Sequence, residues 1–347
     1  MKKKVVLLVA LVVGVAGFIW VYAYLGFFQK DNIVPGVVNI IDNEGVDDPV
    51  PPVEYEIREF VSDLEVPWSI VFTSFNRMLV TERRGTVRQI VDGELVGEPL
   101  RVFDEVSASV EEGLMGMTLD PNYEKNKYIY VCLAYPTGGD LIDKVVRLTD
   151  NGTSLDADTT VVDNIPAARF HAGCRIKFGP DGKLYITTGD ATDKQIAQDI
   201  GSLGGKILRV NSDGTAPSDN PFPNSPVWSY GHRNPQGIDW HPIGETLWST
   251  EHGPSIFDGP SGGDEVNLIQ KGGNYGWPIV SHEDNKPGLI APKLVFTPAY
   301  PPGSGMFYGS DVLPQFTNNF FFTGLASEGI IRVVVSEDGG DVVAFEK

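Results

Sequence analysis

The residues with the clearest chemical potential lie together in one short segment, residues 229–240. Arg233, Asn234 and Gln236 carry polar side chains there, and Pro235 removes one backbone donor. Arginine offers a fixed fork of N–H donors that suits carboxylates or quinone oxygens. A central strand rarely holds so many polar side chains and a proline. We therefore predict a rigid loop that presents Arg233, Asn234 and Gln236 to a ligand. The alternative is a polar loop that satisfies its own backbone.

A second candidate is His171, which lies two residues before Gly173 at the start of a predicted strand. Histidine is the side chain best suited to accept a proton near neutral pH. The alternative is a structural histidine that is held by hydrogen bonds. Glu111 begins a further candidate segment, residues 111–117, which suits a loop facing a channel and a core segment equally.

Oxygen-rich segments form the third set of candidates. Gly253 and Pro254 end a predicted strand, and a Gly-Pro pair leaves carbonyl oxygens without nearby competing donors. Asp264, Glu265 and residues 272–278 continue this character, which suits a hard cation such as calcium. The chain has no H-E-x-x-H spacing, no G-x-G-x-x-G after a strand and no G-x-S-x-G elbow. These absences argue against a zinc hydrolase, a nicotinamide or flavin Rossmann site and an α/β-hydrolase.

The elements that must position these residues recur along the chain. A turn rich in Asn, Asp or Gly leads into a short apolar strand, and a second turn leads into another strand. Five such strand pairs recur at intervals of roughly 50 to 70 residues, which is typical of a repeat architecture: residues 76–82 with 85–90, 126–132 with 144–148, 181–187 with 205–210, 244–250 with 264–269, and 318–323 with 329–333.

This recurrence predicts an all-β fold, a β-propeller, because a closed ring of small sheets hides the strand edges. A sixth unit is expected at the start, where residues 55–61 alternate and could pair with the end of the chain. His171 and Arg233 are about sixty residues apart, roughly one repeat. We therefore expect them on equivalent loops of successive blades, at the same end of the channel.

The composition of the chain limits the classes of function that it could have. The chain has 347 residues, 39 glycines, 25 prolines and a net charge of −19. Such an acidic composition argues against binding of nucleic acid through a basic surface. The two cysteines, Cys132 and Cys174, are too few for a disulfide framework or a zinc site. They could pair, but two buried free thiols are the preferred expectation.

The N-terminus predicts export. Lys2, Lys3 and Lys4 precede an apolar run over residues 5–28 that is long enough to span a bilayer. Residues 1–28 are therefore expected to be a membrane anchor or a signal peptide, with the anchor slightly favoured. Residues 29–54 are expected to form a linker, and residues 55–347 to form an extracytoplasmic propeller domain.

Several motifs together resemble one family, the soluble quinoprotein glucose dehydrogenases and aldose sugar dehydrogenases (glucose/sorbosone dehydrogenases). They occur in the family's order over about residues 55–335. The matching segments are Val-Pro-Trp-Ser at 66–69, Glu-Gly-Leu-Met-Gly at 112–116, His-Ala-Gly-Cys-Arg at 171–175, Gly-Pro-Asp-Gly at 179–182, Tyr-Gly-His-Arg-Asn-Pro-Gln-Gly at 230–237, Glu-His-Gly-Pro at 251–254, Asp-Glu-Val-Asn-Leu-Ile at 264–269 and Gly-Asn-Tyr-Gly-Trp-Pro at 273–278.

The resemblance implies a six-bladed propeller that binds pyrroloquinoline quinone with calcium and oxidises an aldose at its anomeric carbon to the lactone. It implies that His171 is the catalytic base and that an electron acceptor reoxidises the cofactor. The implied contacts are Arg233, Asn234, Gln236 and Glu111 to the cofactor, the Gly253 and Pro254 carbonyls to its calcium, and Glu265 and Tyr275 to a second calcium. The family residue at the position of Glu111 is often Gln.

This chain departs from the family pattern in three ways. Cys174 replaces the second glycine of His-x-Gly-Gly-Arg, and Phe170 stands where some members have an acid. The pattern also continues past the equivalent of Lys347 with another strand pair, so the last blade is expected to be incomplete. These departures motivate the alternative of a non-catalytic propeller that binds a glycan or a protein partner. A lactonase is a third, weaker alternative.

Overall fold

The computed structural model describes residues 58–325 and 329–347. In this part of the chain nearly all regular structure is β, arranged as five antiparallel sheets. We number these sheets blades 1 to 5. Helical structure is confined in the described residues to one short helix, α1 (Tyr123–Asn126), and two 3-10 turns, Ile196–Gln198 and Pro314–Phe316.

Within each blade the strands pair in sequence order. Blade 1 has β1 (Pro67–Ser74), β2 (Arg77–Glu82), β3 (Thr86–Val91), β4 (Glu94–Leu95) and β5 (Arg101–Val102), the last pairing with β3. Blade 2 has β6 (Leu114–Leu119), β7 (Tyr128–Thr137), β8 (Asp140–Asp150) and β9 (Leu155–Ala167). Blade 3 has β10 (Gly173–Phe178), β11 (Leu184–Thr188), β12 (Lys206–Val210) and β13 (Val227–Tyr230).

Blade 4 has β14 (Pro235–Trp240), β15 (Leu247–Glu251), β16 (Asp264–Ile269) and β17 (Leu294–Phe296). Blade 5 has β18 (Pro302–Phe307), β19 (Phe320–Gly324), β20 (Gly329–Val335) and β21 (Val342–Glu346). The first strands of successive blades pack side by side in the order β1, β6, β10, β14, β18. This arrangement is that of a β-propeller, with the first strand of each blade innermost.

The apolar core between the blades is divided into four layers, each shared by two neighbouring blades. A fifth, smaller cluster of Met78, Val80 and Ile90 lies within blade 1. Leu79 of blade 1 packs in a cluster with Ile129 of blade 2, and Ile176 of blade 3 packs in a cluster with Tyr130 of blade 2. Equivalent clusters join blades 3 and 4 and blades 4 and 5. Successive side chains of a strand point to opposite faces of its sheet. Each interior blade therefore contributes apolar side chains to the layers on both of its sides.

The five strand pairs predicted from the repeats are the second and third strands of the five blades. The prediction of an all-β propeller is confirmed, but the number of blades was wrong: the described residues form five blades rather than six. Residues 58–61, part of the segment expected to begin a sixth blade, form no strand, and residues 55–57 lie outside the described part. Val61 instead packs outside any strand against the cluster of Met78 and Val80 in blade 1.

The two outermost sheets each present one apolar face that no neighbouring blade of the described chain covers. On blade 1, Ile70 and Phe72 are 50% and 63% exposed, and on blade 5, Ile330 and Val343 are 50% and 52% exposed. The predicted membrane segment and linker, residues 1–54, lie outside the described residues. Within the described ranges, no helix has the length and apolar character needed to cross a bilayer.

The cysteines are paired, and the expectation of two free thiols was wrong. Cys132 on β7 and Cys174 on β10 form a disulfide, with their Cα atoms 5.9 Å apart. That separation lies in the range that a disulfide requires. The sequence did not indicate the pairing because the two residues approach each other only when blades 2 and 3 pack together.

Candidate active site

Loops that precede or follow the inner strands surround a cavity of about 1110 Å³ at one end of the propeller. His171, Glu111 and Arg233 line it, as do Gly253 and Pro254. His171 precedes β10 and Arg233 precedes β14, which are the first strands of blades 3 and 4. The prediction that these two residues occupy equivalent loops and share one end of the channel is therefore confirmed.

His171 is oriented by an aspartate that the sequence argument missed. Its Nδ1 lies 2.6 Å from Oδ1 of Asp190, whose side chain is almost completely buried. Asp190 also accepts hydrogen bonds from the backbone N–H of Thr192 and from Nε1 of Trp277, both at 2.8 Å. A carboxylate with these donors acts as an acceptor toward the imidazole, which places the histidine proton on Nδ1. Nε2 is then the nitrogen with a free lone pair.

Glu111 fixes the backbone beside the histidine. Its Oε2 accepts the backbone N–H of His171 at 2.7 Å and the side-chain amide of Asn234 at 3.3 Å. A carboxylate of blade 2 therefore joins the loops of blades 3 and 4. Its predicted contact with a cofactor stays a prediction, but its position on the cavity wall is compatible with one.

Arg233 is held by acidic and carbonyl groups of blade 4. Its Nε donates to Oδ2 of Asp258 at 2.7 Å and its Nη1 to the carbonyl of His252 at 3.3 Å. Burial opposes ionisation of Asp258, but the bonds from Arg233 and the Ser255 amide outweigh it and lower the pKa of Asp258. Asp258 therefore balances the charge of Arg233 at the cavity wall, so an anionic ligand would share this guanidinium with Asp258.

Asn234 and Gln236 have mainly internal partners. Asn234 is fully buried, and its Oδ1 accepts the Gly173 backbone N–H at 3.1 Å and the Gln236 side-chain amide at 2.9 Å. Neither residue lines the cavity. The prediction that residues 229–240 form one loop was wrong, because only residues 231–234 connect β13 to β14. Pro235 is tolerated as the first residue of β14, where its missing N–H costs little.

The Gly253–Pro254 turn is fixed from two sides. Asp264 accepts the Gly253 backbone N–H at 2.8 Å and the Tyr300 backbone N–H at 2.7 Å. His252 donates from Nε2 to the Pro302 carbonyl at 2.8 Å. Burial lowers the pKa of His252 to about 4, so this imidazole is neutral at physiological pH. The carbonyls of the turn thus border the cavity on a rigid support.

A second, much smaller cavity of about 10 Å³ lies beneath this turn, and Glu251, Glu265 and Tyr275 border it. Burial and the neighbouring carboxylate of Glu251 raise the pKa of Glu265 to about 8. Tyr275 donates from its hydroxyl to the Leu268 carbonyl at 2.6 Å. Nearby, Oδ1 of Asn267 is buried without a hydrogen-bond partner. The space and the crowded oxygen atoms suit one water or one small cation.

Among the residues that the structure describes, no group of three or more His, Cys, Asp or Glu side chains is arranged to hold a metal. The predicted metal ligands Gly253 and Pro254 border both cavities, whereas Glu265 and Tyr275 border the small one. The two halves of the predicted calcium chemistry are therefore neighbours in space.

Three functional candidates escaped the sequence argument: Asp190, Asp258 and Trp277. Each lies in a loop, and only the folding of the chain brings it close to the other residues of the site. The sequence does contain one indication of Asp190, a Gly-Asp pair at 189–190 that follows the predicted strand at 181–187 after one intervening residue. Trp277 lay in a segment identified only as oxygen-rich.

Comparison with known proteins agrees with this architecture. The family model for Glucose / Sorbosone dehydrogenase matches residues 64–347. Aldose sugar dehydrogenase YliI from Escherichia coli is 32% identical over 83% of this chain and 82% of its own length. Quinoprotein glucose dehydrogenase B from Acinetobacter calcoaceticus is 31% identical over 65% of this chain and 53% of its own length.

Among solved structures, the PQQ-bound form of aldose sugar dehydrogenase from Streptomyces coelicolor superimposes with a TM-score of 0.74. The two chains are 31% identical, and the alignment covers 84% of each. The relatives are sugar dehydrogenases, hence oxidoreductases. On the family match and these identities, the chain belongs to the glucose/sorbosone dehydrogenase family.

Proposed function

We propose that the protein oxidises an aldose at its anomeric carbon to the lactone, with pyrroloquinoline quinone as the oxidant and His171 as the base. The observation that carries this proposal is the arrangement of His171 and Asp190 on the wall of a cavity that Arg233 also lines. The quinoprotein relative and the PQQ-bound structural neighbour support the choice of cofactor.

The cavity is large enough to receive a planar anionic quinone. Its volume of about 1110 Å³ exceeds the roughly 300–1,000 Å³ that is usual for small-ligand sites. Arg233 contributes a positive charge, and its guanidinium lies 5.6 Å from the ring centre of Trp277. Arg233 would hold the cofactor and Glu111 would contact it. Asn234, which donates to Glu111, and Gln236, which donates to Asn234, would support the site.

His171 would remove the hydroxyl proton of the sugar. Asp190 keeps the Nδ1 proton in place, so Nε2 accepts the proton from the anomeric hydroxyl. The same carboxylate stabilises the imidazolium that forms. When bound, pyrroloquinoline quinone supplies the two-electron acceptor for the hydride that leaves the anomeric carbon. The sugar thereby loses one proton and one hydride and gains the lactone carbonyl.

Calcium is proposed at two positions. The carbonyls of Gly253 and Pro254 would hold a calcium beside the cofactor, where a hard cation polarises a carbonyl oxygen. Glu265 and Tyr275 would hold a second one. The observation that supports this is the crowding of Glu251 and Glu265 around the small cavity with an unpartnered amide oxygen of Asn267 nearby.

The test uses purified protein with pyrroloquinoline quinone, calcium, a panel of aldoses and an artificial electron acceptor. Reduction of the acceptor that depends on both sugar and quinone supports the proposal, and no reduction with any aldose rejects it. A thermal shift titration addresses the non-catalytic alternative, because a ligand that binds only the folded state raises the unfolding temperature. A shift with calcium but none with the quinone favours that alternative.

We also propose an extracytoplasmic location, in which residues 1–28 anchor or export the chain. The lysines before an apolar run and the disulfide support it, because disulfides persist in oxidising compartments. Fusion of a reporter enzyme that is active only outside the cytoplasm tests this. An inactive fusion with normal expression contradicts it.

A further inference from the structure

The Cys132–Cys174 disulfide lies directly behind the proposed base. Cys174 is the third residue after His171 and the second residue of β10, while Cys132 lies on β7 of the neighbouring blade. Both side chains are fully buried. The bond therefore ties the segment that leads from His171 into blade 3 to the interior of blade 2.

The backbone of this segment is in an unfavourable conformation. The φ angles of His171, Gly173 and Cys174 are 57°, 62° and 66°, which lie in the left-handed region. For a residue with a side chain this region costs roughly 1–2 kcal/mol. Two such residues within four positions require restraint from the surrounding structure.

In the described chain, three bonds from other blades restrain residues 171–174. Glu111 accepts the His171 backbone N–H, and Asn234 accepts that of Gly173, at 2.7 and 3.1 Å. The disulfide is the third restraint, and it acts at Cys174 itself. It is also the only one of the three that is covalent.

The packing of blade 2 against Cys174 is tight. A Cβ added to Gly116 of β6 would lie 2.3 Å from the Cys174 carbonyl oxygen, so the two inner strands touch through their backbones. Cys174 is thus held by β6 on one side and by its bond to β7 on the other. Movement of this residue would shift residues 171–173 with it.

We propose that the Cys132–Cys174 disulfide is a positioning device for His171, holding His171, Gly173 and Cys174 in the left-handed conformation that sets the imidazole against Asp190. The inference rests on the proposed function for the role of His171. A displacement of about 1 Å at a catalytic group can cost on the order of 10²-fold in rate. The bond therefore affects turnover through the geometry of the base, without touching the substrate.

The first test is Cys132→Ala, which removes the bond and leaves the His171 loop unchanged in sequence. We expect kcat to fall by about 10- to 100-fold, while the KM for the aldose and the quinone affinity stay within a few-fold of the wild type. Activity is measured well below the unfolding temperature. An unchanged kcat with only a lower unfolding temperature would show a purely structural bond and overturn the proposal.

A pair of double variants distinguishes the effect of the covalent bond on kcat from the effect of the backbone conformation at residue 174. Glycine adopts a φ near 66° without the cost of a side chain. Cys132→Ala with Cys174→Gly should therefore recover most of the lost kcat, whereas Cys132→Ala with Cys174→Ala should not. Equal activity of the two double variants would contradict the positioning role.

A third measurement is independent of catalysis. Hydrogen exchange is compared between the quinone-free wild type and the quinone-free Cys132→Ala protein under native conditions. Loss of the bond should speed exchange at the His171 and Gly173 amides. Unchanged exchange overturns the proposal. If the wild type oxidises no aldose, the proposed function fails while this measurement still decides how the loop is held.

Discussion

Replacement of Asp190 by asparagine tests the proposed base most directly. Oδ1 of Asp190 faces Nδ1 of His171 at 2.6 Å and the Thr192 amide at 2.8 Å, and Oδ2 faces Nε1 of Trp277 at 2.8 Å. Thr192 and Trp277 present obligatory N–H donors on opposite sides of the carboxylate. An amide has one oxygen, so it cannot accept from both sides.

Two effects then reduce turnover. The imidazolium loses a charge-assisted hydrogen bond, which is worth about 1.5–3 kcal/mol, or roughly 10- to 100-fold in rate. If the amide nitrogen faces His171, the imidazole must instead accept at Nδ1, and its proton moves to Nε2, where it blocks proton transfer. Loss of the correct tautomer in a serine protease triad costs about 10⁴-fold. We therefore expect Asp190→Asn to lower kcat by about 10²- to 10⁴-fold.

The assay is steady-state oxidation by the quinone- and calcium-loaded protein, with quinone affinity measured separately by fluorescence titration. Quinone affinity should stay within a few-fold of the wild type, because Asp190 acts through His171. Asp199→Asn is the matched control: it is the same chemical change at an exposed aspartate on the same connection between β11 and β12. A folded Asp190→Asn protein with kcat within about threefold of the wild type would refute the reasoning.

Three further predictions concern the site and its supports. His171→Ala should remove most turnover, about 10²- to 10⁴-fold, with little loss of quinone binding, whereas Arg233→Ala should mainly weaken quinone binding, as kinetics and titration together would show. Glu111→Gln should tighten binding of the anionic quinone by a few-fold at low salt and less at high salt, because it removes a like charge; an unchanged salt dependence would contradict this. Asp143 is buried with both carboxylate oxygens unpartnered, and burial together with Glu112 raises its pKa well above the usual range. Since the pKa of Asp143 is higher in the folded than in the unfolded protein, the free energy of unfolding should fall as pH rises above about 4. Urea titrations at several pH values should show a smaller fall for Asp143→Asn. The control Asp140→Asn, on the same hairpin, should leave the fall unchanged.

The blades were predictable where the sequence pattern is local. The second and third strands of each blade form a hairpin, so the turn residues and the alternation lie within about 30 positions of each other. The first strand of blade 4 was not predictable in this way. Its residues 235–240 include Pro235, Gln236 and Asp239. The Gln236 carbonyl and the Asp239 carboxylate find partners on other blades, which the sequence does not reveal.

The sequence predicted which distinctive side chains form the site, but it did not predict which residues they contact. His171 and Arg233 were identified because their side chains are distinctive and their spacing matches one repeat. Asp190 and Asp258 were missed because a single aspartate in a loop has no signature until the fold brings it to the imidazole or the guanidinium. The disulfide was missed for the same reason: it joins β7 to β10 across a blade interface.

The division of the core into four inter-blade layers determines the order in which the blades should unfold. Because each layer is shared by two blades, no blade has a complete core of its own, and stability resembles a sum of nearest-neighbour terms. In the described chain, blades 1 and 5 have a neighbouring blade on one side only, so unfolding should begin at these ends and proceed inward. Blades 3 and 4, which carry His171 and Arg233, lie at the interior of the series, and the disulfide joins blade 3 to blade 2. Partial unfolding should therefore remove the ends of the propeller before it disturbs the geometry of the base.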